Sequence, residues 1–359
     1  MGNKTRKLFM DFHVIQTVPP SCVNRDDTGS PKTAIYGGVR RARVSSQCWK
    51  RAMREMFREN FGEDNLGIRT KKVVDVVAGE IMAADSSKSV AEAEELAEKI
   101  LNAAAVTTKD KEAKALFFLS KAQAKNLASL AVAGDFDKKY AQAALKKGHG
   151  VDIALFGRMV ADDPSLNVDA SAQVAHSIST HRVDNEYDYF TAVDDRAPMD
   201  NPGAGMIGTV EFNSATLYRY ATVAVHEFGS NLGDSDVTAK AIAEFARAFI
   251  KSMPTGKQNT FANRSLPDAV VVALRADQPI NFSGAFEKPV KTNDGFKEKS
   301  IEALGKYASE VYTTFAKAPE KSYCIGITGD GVSGVSLTID DLCETLYDEA
   351  KNWLDGAES

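Results

Sequence analysis

The sequence predicts an α+β fold whose chain is interrupted by a largely helical insertion. Short runs of apolar, β-favouring residues, such as residues 8–18 and 269–274, are typical of strands. Between about residues 60 and 150 the composition shifts to Ala, Lys, Glu and Leu, which favours helices. Elsewhere strands and helices are interspersed without strict βαβ repetition, and this pattern is typical of an α+β domain.

The bulk composition is that of a globular protein. The chain has 359 residues, of which 43% are apolar and 26% charged, so one large elaborated domain or two ordinary ones are expected. No stretch approaches the roughly 20 apolar residues of a membrane span, and Asp11 and His13 interrupt the first apolar segment, which disfavours a signal peptide. The four cysteines form no C-x-x-C pair. We therefore expect a cytoplasmic protein with reduced thiols, no metal site and no cofactor.

The first third of the chain contains a strand over residues 8–18, ended by Pro19 and Pro20, and then a loop over residues 21–31. Ser45 and Ser46 offer an N-cap for a two-faced helix. Its apolar stripe comprises Trp49, Ala52, Met53 and Met56, and another face carries Gln47, Lys50, Arg51 and Arg54.

Within the insertion, helices are predicted over residues 91–105, 110–133 and 136–147, the first with a capping box at Ser89 and Glu92. Its only strand-like run is residues 73–77. After the insertion, a polar segment over residues 184–208 is predicted to be flexible. Further expected elements are paired strands over 207–212 and 215–225, helices over 235–253, 300–318 and 338–354, and strands over 269–274 and 323–328.

The strongest functional signal is a segregation of charge. The net charge is −5, yet no carboxylate occurs between Asp27 and Glu55. Neighbouring cations repel one another, so a partner with regularly spaced negative charges, such as a nucleic-acid backbone, would offset them. A solvated basic surface paired with acids elsewhere in the fold, or a small anionic ligand, are the alternatives. The cations of this segment are Lys32, Arg40, Arg41, Arg43, Lys50, Arg51 and Arg54.

A second set of candidates could stack on bases. Tyr187, Tyr189 and Phe190 lie in or beside the flexible segment, and Met159 follows a Gly-Arg pair. Exposed aromatic and flat apolar side chains are the groups that contact unpaired bases. The alternative is that each of them packs in the core.

Three other patterns are weaker. Residues 329–334 fit G-x-G-x-x-G, but the chain ends after one more helix and lacks the βαβ unit of a dinucleotide site. His176 and His181 lack the i, i+4 spacing of zinc helices. Asp26 and Asp27 could hold a metal ion for RNA cleavage, although adjacent acids in a loop usually cap or pair with neighbours. We expect no catalytic residue.

Several blocks of sequence together resemble the CasC family, the backbone subunit of the type I-E CRISPR Cascade complex. They lie in family order between residue 13 and about residue 296. The blocks are residues 20–27, 40–47, 50–54, 151–159 and 190–195, followed by Phe212, residues 218–221 and residues 285–288.

The resemblance implies an RRM-like (ferredoxin-like) palm formed by residues 1–59, 151–183 and 211–359, with the C-terminal helices in the last part. It also implies helical fingers at 60–150 and a protruding thumb hairpin at 184–210. Several copies, typically six, would form a filament along one CRISPR RNA, kink it at intervals and leave its bases free to pair with target DNA. Other Cascade subunits would be partners, and the protein would not be an enzyme. The segment from about residue 317 to 337 does not match the relative that carries the resemblance, and its loop is left without a role.

Carried over by position, the resemblance assigns Arg25, Lys32, Gln47, Lys50, Arg51 and Arg54 to the RNA backbone, beside Arg40, Arg41 and Arg43 of the same basic segment. It assigns Met159 and Phe190 to a displaced base, with Tyr189 at a stacking position where a relative has tryptophan. Because guide sequences differ, such a protein should contact phosphates rather than read base edges.

Two alternative functions stay open. One is a metal-dependent ribonuclease that resembles type III backbone subunits and acts through Asp26 or Asp27. The other is a general single-strand RNA-binding module outside CRISPR.

Overall fold

The computed structural model of the protein describes residues 6–160, 162–192, 196, 207–326 and 334–356. Within them the chain forms one large mixed sheet, two two-stranded sheets and eleven α-helices. The prediction of an α+β fold is confirmed. No helix in these residues is long and apolar enough to cross a membrane.

The strands and helices follow one another as a mixture along the chain. The strands are β1 (Phe9–Ser21), β2 (Thr33–Tyr36), β3 (Val39–Val44), β4 (Gly67–Thr70), β5 (Thr108–Lys109), β6 (Glu112–Ala113), β7 (Phe117–Ser120), β8 (Ala172–Val174), β9 (Ser177–Ser179), β10 (Glu186–Thr191), β11 (Ile207–Ala224), β12 (Ala269–Arg275), β13 (Lys321–Gly326) and β14 (Val335–Ser336). The helices are α1 (Ser46–Phe61), α2 (Val73–Ala84), α3 (Val90–Ala103), α4 (Lys121–Val132), α5 (Lys138–Leu145), α6 (Val151–Phe156), α7 (Val225–Leu232), α8 (Ser235–Lys251), α9 (Gln258–Phe261), α10 (Lys297–Thr314) and α11 (Ile339–Asp355). Short 3₁₀ turns lie at Glu63–Asn65, Pro164–Leu166 and Phe282–Phe286.

The large sheet is built around β1. Its strand order is β14-β13-β12-β1-β11-β9-β3-β2, with β8 and β10 also paired to β11. β1 is antiparallel to both neighbours, so that His13 lies opposite Tyr220 of β11 and Val271 of β12. In sequence, α1 lies between β1 and β9, and α8 lies between β11 and β12.

Both faces of the central strands of this sheet are covered. Met10 and Phe12 of β1 pack in one hydrophobic cluster with Trp49 of α1 and Phe245 of α8. Alternate residues of a strand point to opposite faces, and the other face accordingly has its own cluster with residues of α10 and the last 3₁₀ turn: Ile15, Tyr218, Phe282 and Leu304. A large ligand must therefore bind at the rims, helices or hairpins that surround the sheet.

A third hydrophobic cluster lies between Val73 and Leu166 and belongs to the region where the insertion is predicted. It combines residues of α2, α3, α4 and α5 with Phe117 and Leu119 of β7, the strand that pairs with β4. The capping box that Ser89 and Glu92 predict at the start of α3 is confirmed.

Two predictions within this region are wrong. Residues 110–120 were expected to be helical, but Asp110 and Lys111 have positive φ angles of 53° and 63° and form the turn between β5 and β6. The following residues form β7, because pairing with β4 and burial of Phe117 override the helical propensity of the neighbouring sequence. The strand-like run over residues 73–77 is the start of α2, where Val73, Val74 and Val77 are buried at helical spacing.

Two predicted strand boundaries are also wrong. Pro19 and Pro20 do not end β1, since both are exposed and the strand continues to Ser21 across a register shift after Val18. The strands expected at 207–212 and 215–225 are a single strand, β11, which pairs with β10 instead of folding on itself. The other predicted elements are confirmed, with shifts of a few residues at their ends. They are β1, α1, α8, β12, α10, β13 and α11.

Two stretches of interest lie outside the described residues. Residues 327–333 hold most of the G-x-G-x-x-G match, and residues 193–195 and 197–206 belong to the segment predicted to be flexible.

Candidate nucleic-acid interface

The helix α1 is fixed in place at its N-terminus and along its apolar face. The backbone N–H of Cys48 donates to Ser45 Oγ over 3.3 Å, and the N–H of Ser45 donates to Asn24 Oδ1 over 2.9 Å. Trp49 is buried, and its indole N–H donates to Ser177 Oγ over 2.9 Å. With this face buried, the face that carries Gln47, Lys50, Arg51 and Arg54 points away from the core.

The polar face of α1 offers groups of different accessibility. Gln47 and Arg51 are exposed, and Arg51 pairs with Glu55 over 3.0 Å. Lys50 is half-buried, with its Nζ 5.3 Å from the centre of the Phe156 ring. A surface pair such as Arg51–Glu55 contributes little to stability, so the Arg51 guanidinium can exchange this partner for a phosphate.

Arg54 is held more firmly. Its Nε donates to Asp152 Oδ2 over 2.8 Å and its Nη2 to the carbonyl oxygen of Gly67 over 3.0 Å. The Asp152 carboxylate is buried and also accepts the N–H of Gly67 over 2.7 Å. Arg54 therefore connects α1 with β4 and α6 through a charge-assisted network.

Arg69 of β4 adds a further cation beside α1. The guanidinium carbons of Arg54 and Arg69 lie 4.6 and 4.8 Å from the centre of the Phe118 ring. Burial and then the charge of Arg69 lower the pKa of Lys50, and burial and then the charge of Arg54 lower the pKa of Arg69. We call Lys50, Arg54 and Arg69 the basic cluster.

The hairpin formed by β2 and β3 carries the other arginines of the acid-free segment. Gly37 and Gly38 form its turn with φ angles of 58° and 76°, and a Cβ on Gly37 would lie 1.7 Å from the Glu287 carbonyl oxygen. Arg40 is exposed, whereas Arg43 is half-buried and its Nη1 lies 3.2 Å from His176 Nδ1. Lys32 is half-buried just before β2.

Arg41 differs from the arginines around it. It is fully buried, and its guanidinium donates to four backbone carbonyl oxygens at 2.8–3.2 Å. This side chain holds the hairpin against the rest of the fold and has no free donor face for a phosphate. The structure therefore does not support the phosphate contact predicted for Arg41. The acceptors are the carbonyls of Tyr36, Ser179, Phe286 and Glu287.

An open cleft of about 640 Å³ borders α1 on the side of Arg51. The loop with Arg25, Asp26 and Asp27 forms one wall, and residues 254–257 form another and contribute Lys257. The Oδ1 atom of Asp26 accepts bonds from Thr28 N–H, Thr28 Oγ1 and Ser30 N–H at 2.7–3.1 Å. This carboxylate therefore serves the turn of its own loop.

The aromatic residues of β10 lie on a hairpin with β11. Tyr187 and Tyr189 are 67% and 62% exposed on one face of the strand. Phe190 lies on the other face, opposite Gly208, where a Cβ would come within 2.5 Å of its ring. The hairpin thus presents different aromatic surfaces on its two sides.

Met159 is 85% exposed and follows α6, outside this hairpin. It borders a small cavity lined by Leu116 and Phe117 and follows Arg158. The Arg158 guanidinium is buried, donates to the carbonyl oxygens of Leu145 and Leu166, and has its pKa lowered by burial to about 10. The chain before Met159 is thereby anchored while the thioether is left in solvent.

The family described as CT1975-like protein matches residues 10–345. The chain belongs to this family. It is 32% identical to a chain of a CRISPR RNA-guided surveillance complex, pre-nicking, with a TM-score of 0.83 over 95% of this chain and 100% of that chain. A chain of a second CRISPR RNA-guided surveillance complex is 30% identical, with a TM-score of 0.63 over 95% of this chain and 99% of that one. No curated protein matches.

The resemblance inferred from the sequence blocks is confirmed at this level: members of the CT1975-like protein family and chains of CRISPR surveillance complexes are what the protein is similar to. The narrower assignments to CasC and to type I-E stay predictions. So do the contacts of the individual residues.

Sequence reasoning missed Arg69 and Lys257. Arg69 lies outside the acid-free segment and comes beside Arg54 only because β4 pairs with β7, about fifty residues later in the chain. Lys257 borders the cleft because the chain after α8 returns to the loop over residues 23–29. Neither position has a local sequence signal that could have indicated it.

Proposed function

We propose that this protein is the CRISPR RNA-binding backbone subunit, CasC, of a type I-E Cascade complex. The observation that carries the proposal is the similarity along 95% of the chain to subunits of two CRISPR RNA-guided surveillance complexes. The acid-free basic segment, whose exposed cations lie on α1, on the β2–β3 hairpin and beside the cleft, supports an extended polyanion as the ligand.

The palm of the protein is an RRM-like, or ferredoxin-like, unit. The sheet order β12-β1-β11-β9, with α1 and α8 as the two crossovers, supports this assignment because it corresponds to the order 4-1-3-2 of a βαββαβ fold. α10 and the 3₁₀ turn at Phe282–Phe286 cover the sheet face opposite to α1. The guide RNA consequently runs across α1 and the hairpins and not across the sheet.

The backbone of the guide is bound by the accessible cations. Arg25, Arg40 and Arg51 are exposed and Lys32, Arg43 and Lys50 are half-buried, while exposed Gln47 adds hydrogen bonds. Phosphate contacts are independent of sequence, as a protein that carries many different guides requires. Arg54 stays paired with Asp152 and adds to the positive potential that attracts the guide. Arg41 acts only by holding the β2–β3 hairpin in place.

The guide is kinked where a base is displaced from the stack. Phe190 on the β10–β11 hairpin and Met159, just after α6 in the palm, provide apolar surfaces that hold this base without reading its edge. Within one chain they lie on different elements, Phe190 on β10 and Met159 just after α6. Tyr189, on the other face of the hairpin, contacts a different part of the RNA.

Several copies, typically six, assemble along one guide with the other Cascade subunits, and the guide bases pair with target DNA. In this function the protein binds and positions RNA and does no chemistry. The test is to co-express the chain with its partner subunits and a CRISPR array, purify the complex and sequence the bound nucleic acid. Uniform repeat-flanked guides are expected. Random cellular RNA, or none, would overturn the proposal.

A further inference from the structure

The basic cluster is a preorganised arrangement of side chains. Gly67 begins β4, and a Cβ at this position would lie 2.6 Å from the Phe118 ring and 2.8 Å from Ile153. A Cβ on Gly150 would lie 2.8 Å from the Gly67 nitrogen. These two glycines allow β4 to pack tightly against β7 and α6, so the position of Arg69 is fixed relative to α1.

The charges of the cluster are not balanced within the described part of the chain. Asp152 is the only carboxylate there that pairs with any of the three cations, and it pairs with Arg54. Lys50 and Arg69 contact aromatic rings instead of acids. Asp152, although it also acts on Arg69, is one negative charge among three cations. Half-buried Lys50 and exposed Arg69 repel one another, which makes a bound anion favourable.

The shape of the cluster selects the kind of anion. The rings of Phe118 and Phe156 are already covered by cations, and Phe118 is buried, so neither offers a free face for a base. The remaining donors are an ammonium group and a guanidinium group, which suit phosphate oxygens. Lys50 also belongs to the polar face of α1, so the cluster continues the row formed by Gln47 and Arg51.

We propose that Lys50 and Arg69 together bind one backbone phosphodiester of the guide RNA, with Arg54 held beside them by Asp152. This inference rests on the proposed function and extends it. Through Arg69 the fingers take part in guide binding, and each copy in the filament clamps the strand between α1 and β4. A phosphodiester of the paired target strand offers the same chemistry, so the experiment separates the two strands.

The experiment measures the assembly of the purified protein and its partner subunits on guide RNA as a function of salt concentration. Loss of one phosphate contact on a single strand reduces the slope of log K against log salt by about 0.7. We expect this reduction, per protomer, for Arg69→Gln, and a normal slope for Arg69→Lys, which keeps the charge. Lys109→Gln, an exposed lysine of the fingers outside the cluster, is the matched control and should behave like wild type.

An Arg69→Gln complex with a wild-type slope and affinity for guide RNA would overturn the inference and leave the proposed function intact. A change confined to the later binding of target DNA would also overturn it, in favour of a target-strand contact. Failure of the wild-type complex to carry guide RNA would instead mean that the proposed function itself is wrong. If Arg69→Gln does not fold, Arg69→Met is the second variant, because its unbranched side chain can still cover the Phe118 ring without a charge, and the same reduction in slope is expected from it.

Discussion

Arg54 Nε donates to the buried Asp152 carboxylate across 2.8 Å, which ties α1 to α6. Removal of one partner from a buried ion pair costs about 3–5 kcal/mol, since the other charge is left without compensation. We therefore expect Asp152→Ala to lower the free energy of unfolding by about this amount in urea denaturation. Asp64→Ala, which removes an exposed pair with Lys121, is the control and should leave the midpoint nearly unchanged. Equal effects would contradict the role of the buried pair.

Adjacent arginines in β3 are expected to behave in opposite ways. Arg41→Ala would remove the Arg41 donors from the buried carbonyl groups of Ser179 and Phe286 and the partly buried ones of Tyr36 and Glu287, which costs about 3 kcal/mol or more of stability. Arg40→Ala should fold normally and weaken binding of guide RNA, with a shallower salt dependence, because Arg40 is exposed. Thermal unfolding and salt-dependent binding of both variants check this contrast. A stable Arg41→Ala protein with impaired RNA binding would show that Arg41 contacts RNA directly.

The contrast between Arg40 and Arg41 also indicates what sequence reasoning can and cannot predict. The helix α1, its Ser45 cap and its two faces were predictable because caps and helical periodicity depend on residues a few positions apart. The burial of Arg41 depends on Ser179 and Phe286, more than a hundred residues away. A run of cations carries no information about such contacts, and the same holds for Arg69.

The region of the third hydrophobic cluster, between Val73 and Leu166, shows the same limit for secondary structure. The alanine-rich helices α3, α4 and α5 follow local propensity and were predicted from composition. β4 and β7 are four-residue strands whose formation depends on pairing across the intervening helices. Their sequences, on their own, are too short to show a strand period.

Phe190 and Tyr189 are expected to have separable roles because they lie on opposite faces of β10. A stacking contact contributes about 1–3 kcal/mol per base. Phe190→Ala should therefore reduce the fluorescence increase of 2-aminopurine placed at the displaced position of the guide. Tyr189→Ala should leave that signal in place. Gly208→Ala, whose Cβ would collide with the Phe190 ring, should act in the same direction as Phe190→Ala. Equal losses at Phe190 and Tyr189 would contradict a wedge on one face.

Asp11 should give the folded state an unusual pH dependence. Burial raises the pKa of Asp11 from 3.8 to about 6, and its carboxylate accepts bonds from Tyr220 and the Ile280 N–H. Between these pH values the folded state holds a proton that the unfolded state has released, so stability is lost as pH rises through this window. Burial lowers the pKa of neighbouring His13 from 6.5 to about 3, which gives stability that increases with pH over the same range.

In the wild-type protein these two contributions oppose one another. Asp11→Asn removes the Asp11 contribution, which makes the wild-type protein less stable as pH rises. The free energy of unfolding of the variant, relative to wild type, should therefore rise by about 1.4 kcal/mol per pH unit between roughly pH 4 and 6. Urea denaturation at several pH values measures this difference. Asp64→Asn is the control, because the pKa of Asp64 is lowered by Lys121 and the sign of its effect is the reverse. A difference that does not depend on pH would mean that Asp11 ionises normally in the folded protein.

The cleft beside α1 is where a non-catalytic RNA-binding subunit and a metal-dependent ribonuclease would differ. Hydrolysis of RNA by a bound metal ion requires carboxylates that converge on the ion. Asp26 instead accepts three bonds within its own loop, and the bond from the Thr28 side chain lowers its pKa. We therefore expect an assembled complex to leave matched RNA intact in the presence of magnesium, and Asp27→Ala to be indistinguishable from wild type in this assay. Cleavage that the Asp27→Ala substitution abolishes would establish the ribonuclease instead. In that case Arg25, Arg51 and Lys257, which line the same cleft, would hold the scissile strand.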